Sequence, residues 1–223
     1  MSFLPLLPKH PRRRFFLNEP EGIGRFFMSF TVQRLDSAER ILLLAHLLSL
    51  PPTDRQLRFG TVLAPALIAR YVAKLDFVRD AVFGVRNDDL SLAGLAHVAF
   101  AGARAEVGLS VLPAHRRRGV GAALLARAAE HARNRGAAAI FMQFLSHNTA
   151  VARMARRLGM DLTGAGVETQ ARLELAEPSA ASILTELATD AFAACAGALK
   201  AFVAGWKHRA IATVTEAGST PRP

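Results

Sequence analysis

The sequence predicts a mixed α/β fold with a mostly antiparallel central sheet, helices on its faces and an added C-terminal helix. Short strand-like segments separated by turn residues fill positions 81–111, and helical and strand-like segments then alternate as far as residue 175. An alanine-rich helical stretch follows from 178 to about 209. The 223 residues suffice for one domain with an appendage, and 51% hydrophobic with 21% charged residues is a globular composition. Collagen-like, coiled-coil and wholly disordered classes are excluded.

The first half of the chain is predicted to contain three helices and four strands. Asp36 and Glu39 have the spacing of a capping box that opens the first helix, and Pro51-Pro52 ends it. The predicted helices are 38–50, 53–59 and 66–75. The predicted strands are 26–35, 81–86, 91–100 and 104–111.

The second half is predicted to alternate between helices and strands. Gly136 and Gly159 each end a helical segment, and Asn148 is a good N-cap for the second of these helices. The predicted helices are 119–135, a segment from Asn148 to Gly159, and a final one from Pro178 to about Arg209. The predicted strands are 138–145 and 167–175.

Charge and cysteine content restrict the environment and the partners. Lys plus Arg number 28 and Asp plus Glu 18, so the net charge of +10 favours a nucleic acid, a membrane surface or a phosphate-rich cofactor. The single Cys195 cannot form an intrachain disulfide, which fits a reducing compartment, and it is expected to be a small buried residue. The N-terminal residues do not have the pattern of a signal peptide, and the apolar stretches 41–50 and 191–206 are short for a membrane span. We therefore expect a cytoplasmic protein without a span.

The segment 105–122 carries the most specific chemical signal. It consists of a strand, a loop with three consecutive arginines and a helix whose first turn contains Gly119 and Gly121. The first amides of a helix have no intrahelical partner and lie at the positive end of the helix dipole. Glycines there allow an anion to approach the backbone. The alternative is that the two glycines only shape a turn. A third glycine for a dinucleotide fingerprint and a Gly-Lys-Ser/Thr for a P-loop are both missing.

Two sequence blocks resemble the GCN5-related N-acetyltransferase (GNAT) superfamily. Arg116, Gly119 and Gly121 match its acyl-CoA pattern of Arg or Gln, two residues, Gly, one residue, then Gly or Ala, with Val111 and Pro113 as the usual lead-in. The block from Asn148 to Met160 is similar to the next helix of that family. The resemblance covers about residues 26–175 and implies a GNAT-like sheet, and the segment 81–111 resembles bacterial protein-lysine-acetyltransferase-type members.

The resemblance also implies a cofactor site and a mechanism. Acetyl-CoA is the expected co-substrate, with its pantetheine arm along the strand, its pyrophosphate on the loop amides and its thiol end near an asparagine. The amine attacks the thioester directly, without a covalent enzyme intermediate. The histidines lack ligand spacing, so no metal is expected. The implied cofactor-binding residues are Leu109, Ser110, Val111, Arg116, Arg117, Arg118, Gly119, Val120, Gly121, Ala122 and Asn148.

The catalytic groups are less complete than the cofactor site. Glu106 is the candidate general base, because some family members that acetylate protein lysines carry a Glu at this strand position. His147 is a second candidate for the general base, and the alternative is that it has only a structural role. The family commonly places a tyrosine acid at the position of Ala155, so the acid for the leaving thiolate is unassigned. The sole tyrosine, Tyr71, is expected to pack in an amphipathic helix.

The function predicted is acetyl transfer from acetyl-CoA to a primary amine, either a protein lysine or a small molecule. A CoA-binding regulatory module without catalysis and a nucleic-acid-binding protein are the alternatives. The C-terminal helix is expected to pack within the chain, with a homodimer contact as second choice. The predicted organisation is a basic N-terminal arm over 1–25, the acetyltransferase domain over 26–175, the C-terminal helix over 178–209 and a tail over 210–223.

Overall fold

The computed structural model describes residues 30–164 and 166–217, with side chains as far as Val203. The predicted basic arm over 1–25 and the last six residues of the predicted tail lie outside these residues. The strands are β1 Val32–Leu35, β2 Ala81–Arg86, β3 Leu92–Ala101, β4 Arg104–Val111, β5 Ala139–Leu145, β6 Asp161–Thr163 and β7 Glu168–Glu174. The helices are α1 Arg40–Leu48, α2 Pro52–Phe59, α3 Pro65–Ala73, α4 Val120–Asn134, α5 Thr149–Arg157 and α6 Ala180–Ala217.

The predicted fold class is confirmed. Seven strands form one sheet in the order β1-β2-β3-β4-β5-β7-β6, and every neighbouring pair is antiparallel except β4 and β5. The capping box of Asp36 and Glu39 is present, although it caps a 3₁₀ turn, Ser37–Glu39, that leads into α1. Strand β6 was not predicted, because three residues are too short to show an alternating pattern.

The parallel pair β4 and β5 opens the sheet. Its register joins only Arg104–Glu106 to Ala139–Phe141. Beyond that point β4 continues to pair with β3, whereas β5 continues to pair with β7. The two strands therefore diverge after Glu106 and leave a V-shaped gap in the middle of the sheet.

Both faces of the sheet are buried against helices. On one face Val107 and Ile140 pack in a cluster with Leu124 of α4. On the other face Leu95 packs in a second cluster with Leu43 of α1 and Ile68 of α3. Each strand thus sends alternate side chains into two cores, and near the gap one face of β4 meets α4 while the other meets the α1 to α3 layer.

Helix α6 lies against the domain through polar groups. Arg127 of α4 is completely buried and pairs with Glu186 and Asp190 of α6 at 3.0 and 2.6 Å. The opposite side of α6 carries exposed apolar residues, Leu187 and Phe202 among them. Cys195 is exposed there, so the expectation that it is buried was wrong. That expectation was based on the surrounding apolar residues, which lie on the outer side of the helix.

One stretch of the described chain, Ala180–Val203, is long and apolar enough to cross a membrane, although core helices of soluble proteins pass the same test. Its inner side holds Glu186 and Asp190 in ion pairs with Arg127 of the domain. Carboxylates are costly in a hydrocarbon environment. These ion pairs therefore favour a helix that packs on the protein.

Candidate active site

The gap between β4 and β5 is the mouth of a cleft of about 1290 Å³. This volume exceeds the 300–1,000 Å³ typical of pockets for drug-sized ligands and suits a larger molecule. Glu106 and every predicted cofactor-binding residue line the cleft except Arg118, which is exposed outside it. The cleft extends from Glu106 at the vertex of the gap to the start of α4.

The free edge of β4 offers backbone groups to the cleft. The amide of Leu112 donates to the carbonyl of Ala93 at 2.9 Å, which fixes the alternation of the antiparallel pair. The backbone groups of Ser110 therefore point to β3, and those of Leu109 and Val111 point into the gap. An extended ligand arm could pair with Leu109 and Val111 as an added strand does.

The helix α4 begins with uncapped amides at the far end of the cleft. Its N-cap residue Gly119 has φ of +96°, a left-handed conformation that favours glycine, and no side chain among the described residues caps the helix. Arg117, two residues earlier, also has a positive φ of 60°. The first intrahelical bond runs from Ala123 to Gly119, so the amides of the three residues between them are available to an anion.

Gly121 keeps the floor of the cleft open. A Cβ added there would lie 3.2 Å from Sδ of Met154, 3.6 Å from Val111 and 3.9 Å from Leu109. All three side chains line the cleft. Any larger residue at this position would project between β4 and α5.

Arg116 already forms two side-chain contacts within the protein. Its Nε donates to the carbonyl of Val111 at 3.0 Å, and its Nη2 forms an ion pair with the buried carboxylate of Asp54 on α2. The guanidinium therefore ties the loop to β4 and α2. Its predicted role toward a phosphate is limited to the donors that these two contacts leave free.

The side chain of Ser110 points away from the gap, toward a buried histidine. His46 of α1 donates from Nδ1 to the carbonyl of Leu92 at 2.8 Å, so its Nε2 accepts from the Ser110 hydroxyl at 2.9 Å. Burial lowers the pKa of His46, which keeps the ring neutral and consistent with these bonds. The pair fixes the position of β4 beside the cleft.

Glu106 is the last residue of β4 that pairs with β5, opposite Phe141. Its side chain is exposed and lines the cleft at the vertex of the gap. Side chains alternate along β4, with Val107 in the α4 cluster and Gly108 and Ser110 facing the α1 to α3 layer. Glu106 thus presents a carboxylate at the inner end of the cleft.

Three further predicted positions have different surroundings. Asn148 caps α5 by accepting from the amide of Val151 at 3.3 Å and lines the cleft. His147 is exposed and does not line it. Ala155, which stands where the family commonly has tyrosine, is completely buried in the core.

A hydrogen-bonded chain that the sequence did not indicate reaches the cleft. Arg58 of α2 lines it and donates from Nη2 to the Tyr71 hydroxyl at 3.2 Å. Tyr71 in turn lies 2.8 Å from Nδ1 of His97, whose Nε2 lies 3.0 Å from the carboxylate of Asp80. Tyr71 also packs edge to face on Phe59, so the expected packing role is present beside this polar one. The four polar residues come from separate elements, and no local spacing connects them.

Sequence and structure comparisons agree with this geometry. The Acetyltransferase (GNAT) family model matches residues 54–160. No curated protein matches the chain significantly. The GNAT domain of S. lividans PAT is similar at a TM-score of 0.57 and 20% identity, over 65% of this chain and 89% of that one. The acetyltransferase yncA from Salmonella typhimurium, solved with its cofactor acetyl-CoA, has a TM-score of 0.52 and 20% identity, over 68% of this chain and 96% of that one. A ribosomal-protein-alanine N-acetyltransferase from Brucella melitensis has a TM-score of 0.51 and 17% identity, over 65% of this chain and 99% of that one.

The similar structures, at 20% identity or less, establish the fold, and the family model establishes the family. The match over 54–160 includes the β4 strand, the arginine-rich loop, α4 and α5, which are the elements that build the cleft. No cluster of three or more His, Cys, Asp or Glu residues within 30–164 and 166–217 is placed to hold a metal ion. The chain therefore carries a domain of the acetyltransferase (GNAT) family, whose members use acetyl-CoA as the donor for acyl transfer.

Proposed function

We propose that this protein is an acetyl-CoA-dependent N-acetyltransferase that acetylates a primary amine, with Glu106 as the general base. One observation carries the proposal. A single cleft has the first amides of α4 at one end and, at the vertex where β4 leaves β5, a carboxylate at the other. A long ligand with phosphates at one end and a reactive thioester at the other fits that arrangement.

The cofactor-binding part of the proposal follows the course of the cleft. The free amides at the start of α4 would hold the pyrophosphate, and Arg117 and the free donors of Arg116 add positive charge. The backbone groups of Leu109 and Val111 would pair with the amides of the pantetheine arm. Asn148 lies across the cleft on α5, and its amide nitrogen would contact the arm near the thiol end.

The chemistry requires a base. When bound, acetyl-CoA supplies the acetyl group as a thioester, and the amine nitrogen forms the new bond to the acyl carbon as the carbon–sulfur bond breaks. An alkylammonium has a pKa near ~10.4, so very little of it is nucleophilic at neutral pH. Glu106 would take this proton, directly or through one water, and CoA leaves as the thiolate, which takes a proton from solvent.

A CoA-binding module without catalysis is the second candidate. The observation that favours it is Ala155, whose buried methyl group leaves no acid where the family commonly has a tyrosine. A thiol has a pKa near ~8.5, so its anion can leave without a protein acid. We therefore rank the enzyme first. A cytoplasmic location belongs to the same proposal and is supported by the single Cys195.

The decisive experiment measures binding and turnover separately. Calorimetry with acetyl-CoA tests the cofactor site, and release of free thiol in the presence of amines and lysine-containing proteins tests catalysis. We expect Gly121→Glu to abolish acetyl-CoA binding in a folded protein, because a carboxylate beside the α4 amides occupies the cleft and repels phosphate. Gly121→Gln is the control of equal size, and it separates the effect of charge from that of bulk. Unchanged affinity in folded Gly121→Glu contradicts the site.

Glu106→Gln tests the base. A general base typically contributes ~10²–10⁴-fold to the rate, so we expect a drop of that order in kcat with little change in acetyl-CoA affinity. The acidic limb of the pH–rate profile should flatten. Glu168→Gln is a matched control, since Glu168 also lines the cleft but lies on the β7 side. If Glu106→Gln keeps near-full turnover with an unaltered pH–rate profile, Glu106 is not the base. If the wild type binds acetyl-CoA but shows no turnover, the CoA-binding module is favoured.

A further inference from the structure

Arg58 places an unpaired positive charge in the inner part of the cleft. It is half-buried, and among the residues that the structure describes no carboxylate lies within ion-pair distance of its guanidinium. Its Nε is buried and has no hydrogen-bond partner in the described part of the chain. A cation that is partly removed from water without a counterion is costly and attracts an anion.

The guanidinium lies directly on β4. A Cβ added at Gly108 would lie 2.5 Å from its central carbon and from both terminal nitrogens. Glycine at position 108 therefore makes room for the Arg58 head group against the strand. The start of α4, where the phosphates are proposed to bind, follows the last residue of β4, three residues beyond Gly108, and has its own arginines. Arg58 is thus placed on the acceptor side of the cleft.

The polar chain behind Arg58 holds its head group in place. Burial lowers the pKa of His97, and the neutral ring donates from Nε2 to Asp80 and accepts at Nδ1. The Tyr71 hydroxyl then donates to Nδ1 of His97, which leaves its oxygen free to accept from Arg58. Each hydrogen bond in this series therefore has one defined direction, and the series ends in a guanidinium whose other donors bond to no residue that the structure describes.

Arg58 and Glu106 form a pair of opposite charges that do not neutralise each other. Glu106 and Gly108 are two residues apart on one face of β4, a separation of roughly 6–7 Å, and the Arg58 head group lies over Gly108. Both side chains line the same cleft, yet no ion pair joins them. A small molecule with an ammonium group and a nearby carboxylate would fit between them.

We propose that Arg58 binds a carboxylate of the acceptor, and that the acceptor is an amino acid or a similar small molecule with amine and carboxylate close together. This inference rests on the proposed function and narrows its acceptor class. A planar guanidinium binds a carboxylate through two parallel hydrogen bonds, which orients the acceptor as well as attracting it. Tyr71, His97 and Asp80 act through Arg58 as positioning residues. A lysine side chain within a protein has no carboxylate at this spacing.

The test compares amines that differ only in the carboxylate. The free amino acids, their carboxamides and their decarboxylated amines are assayed by thiol release from acetyl-CoA, for example L-phenylalanine, L-phenylalaninamide and phenethylamine. We expect at least one amino acid to exceed its amide and its amine by roughly 10- to 100-fold in kcat/KM, the effect of hydrogen bonds to a charged group. Calorimetry of that amino acid with the enzyme saturated with CoA provides a readout independent of turnover.

Variants assign the effect to Arg58. Arg58→Gln should remove the advantage of the amino acid by raising KM, with acetyl-CoA affinity unchanged. Tyr71→Phe and Gly108→Ala keep the guanidinium but displace it, so each should raise KM for the acid and leave KM for the amide unchanged. Arg70→Gln is the control, because it removes an exposed charge on α3 that does not line the cleft.

The outcomes separate this inference from the proposed function. Equal use of acids, amides and amines, or acetylation of lysine peptides but of no amino acid, overturns the carboxylate site while the acetyltransferase stands. A uniform loss with every amine in Arg58→Gln also overturns it. If acetyl-CoA does not bind and no amine releases thiol, the proposed function fails and this inference fails with it.

Discussion

Glu186 is the residue whose removal should most weaken the attachment of α6. Burial by itself raises the pKa of Glu186, but hydrogen bonds from His131 at 2.6 Å and Asn134 at 2.7 Å and the charge of Arg127 outweigh it. Together they lower the pKa from 4.5 to about 2. A carboxyl group with a lowered pKa in the folded state stabilises that state above pH 4.5, and the contribution is lost as the pH falls from 4.5 toward 2.

The magnitude follows from the shift. Each pKa unit corresponds to about 1.4 kcal/mol, so the ionised Glu186 contributes on the order of 3 kcal/mol at neutral pH. Glu186→Gln should therefore lower the free energy of unfolding at pH 7 by about 3 kcal/mol. The difference from the wild type should shrink as the pH falls below 4.5, because protonation removes the same contribution from the wild type.

Urea unfolding followed by far-UV circular dichroism between pH 7 and pH 3.5 measures both quantities. The control is Glu177→Gln, an exposed carboxylate ahead of α6 that should change stability by less than about 0.5 kcal/mol. The reasoning is refuted if Glu186→Gln costs less than about 1 kcal/mol at pH 7, or if its difference from the wild type is as large at pH 3.5 as at pH 7.

Three further predictions concern the histidine behind β4, the glycines of the loop and the basic surface. Burial lowers the pKa of His46 below 6.5, so its contribution to stability falls as the pH drops below 6.5. Urea unfolding should therefore show that the free energy of unfolding decreases less between pH 7.5 and 5.5 in His46→Gln than in the wild type. Gly119→Ala should lower the free energy of unfolding by roughly 1–2 kcal/mol because of its positive φ. Gly121→Ala, whose tightest contact is the flexible Met154, should cost less in the same assay. Binding to random-sequence duplex DNA, followed by fluorescence anisotropy, should be lost steeply as salt rises; sub-micromolar, sequence-dependent binding at physiological salt would contradict the enzyme as the primary function.

The residues at the α4 end of the cleft could be predicted because their signal is local. The signal consists of Arg116, Gly119 and Gly121, which lie within six residues. An anion site at a helix start requires positive charge and close access to the backbone, and these residue types provide both. The place of Glu106 in the same cleft could be predicted for a related reason, since strand alternation fixes which side chains share a face, and its role as a base stays a prediction. The partner of Arg116 was not predicted, because Asp54 is remote in sequence and meets the loop only through the packing of α2.

The inner end of the cleft depends on tertiary contacts that leave no periodic signal. Arg58, Tyr71, His97 and Asp80 come from α2, α3, β3 and the segment before β2, and each has an ordinary interpretation in its own element. Helix α6 packs within the chain as expected, but its apolar composition did not indicate how. The domain presents the buried Arg127, and the carboxylates of the helix face that charge.

The divergence of β4 from β5 has a consequence for amide hydrogen exchange. Within one strand, the amides of Gly108 and Ser110 are bonded to β3 and should exchange slowly, whereas those of Leu109 and Val111 face the cleft and should exchange quickly. Neighbouring residues of a central strand would thus differ in protection in the free protein. A ligand that pairs along this edge slows amide exchange only at the residues that face the cleft, such as Leu109 and Val111. The newly protected amides therefore show the register in which the ligand pairs with β4.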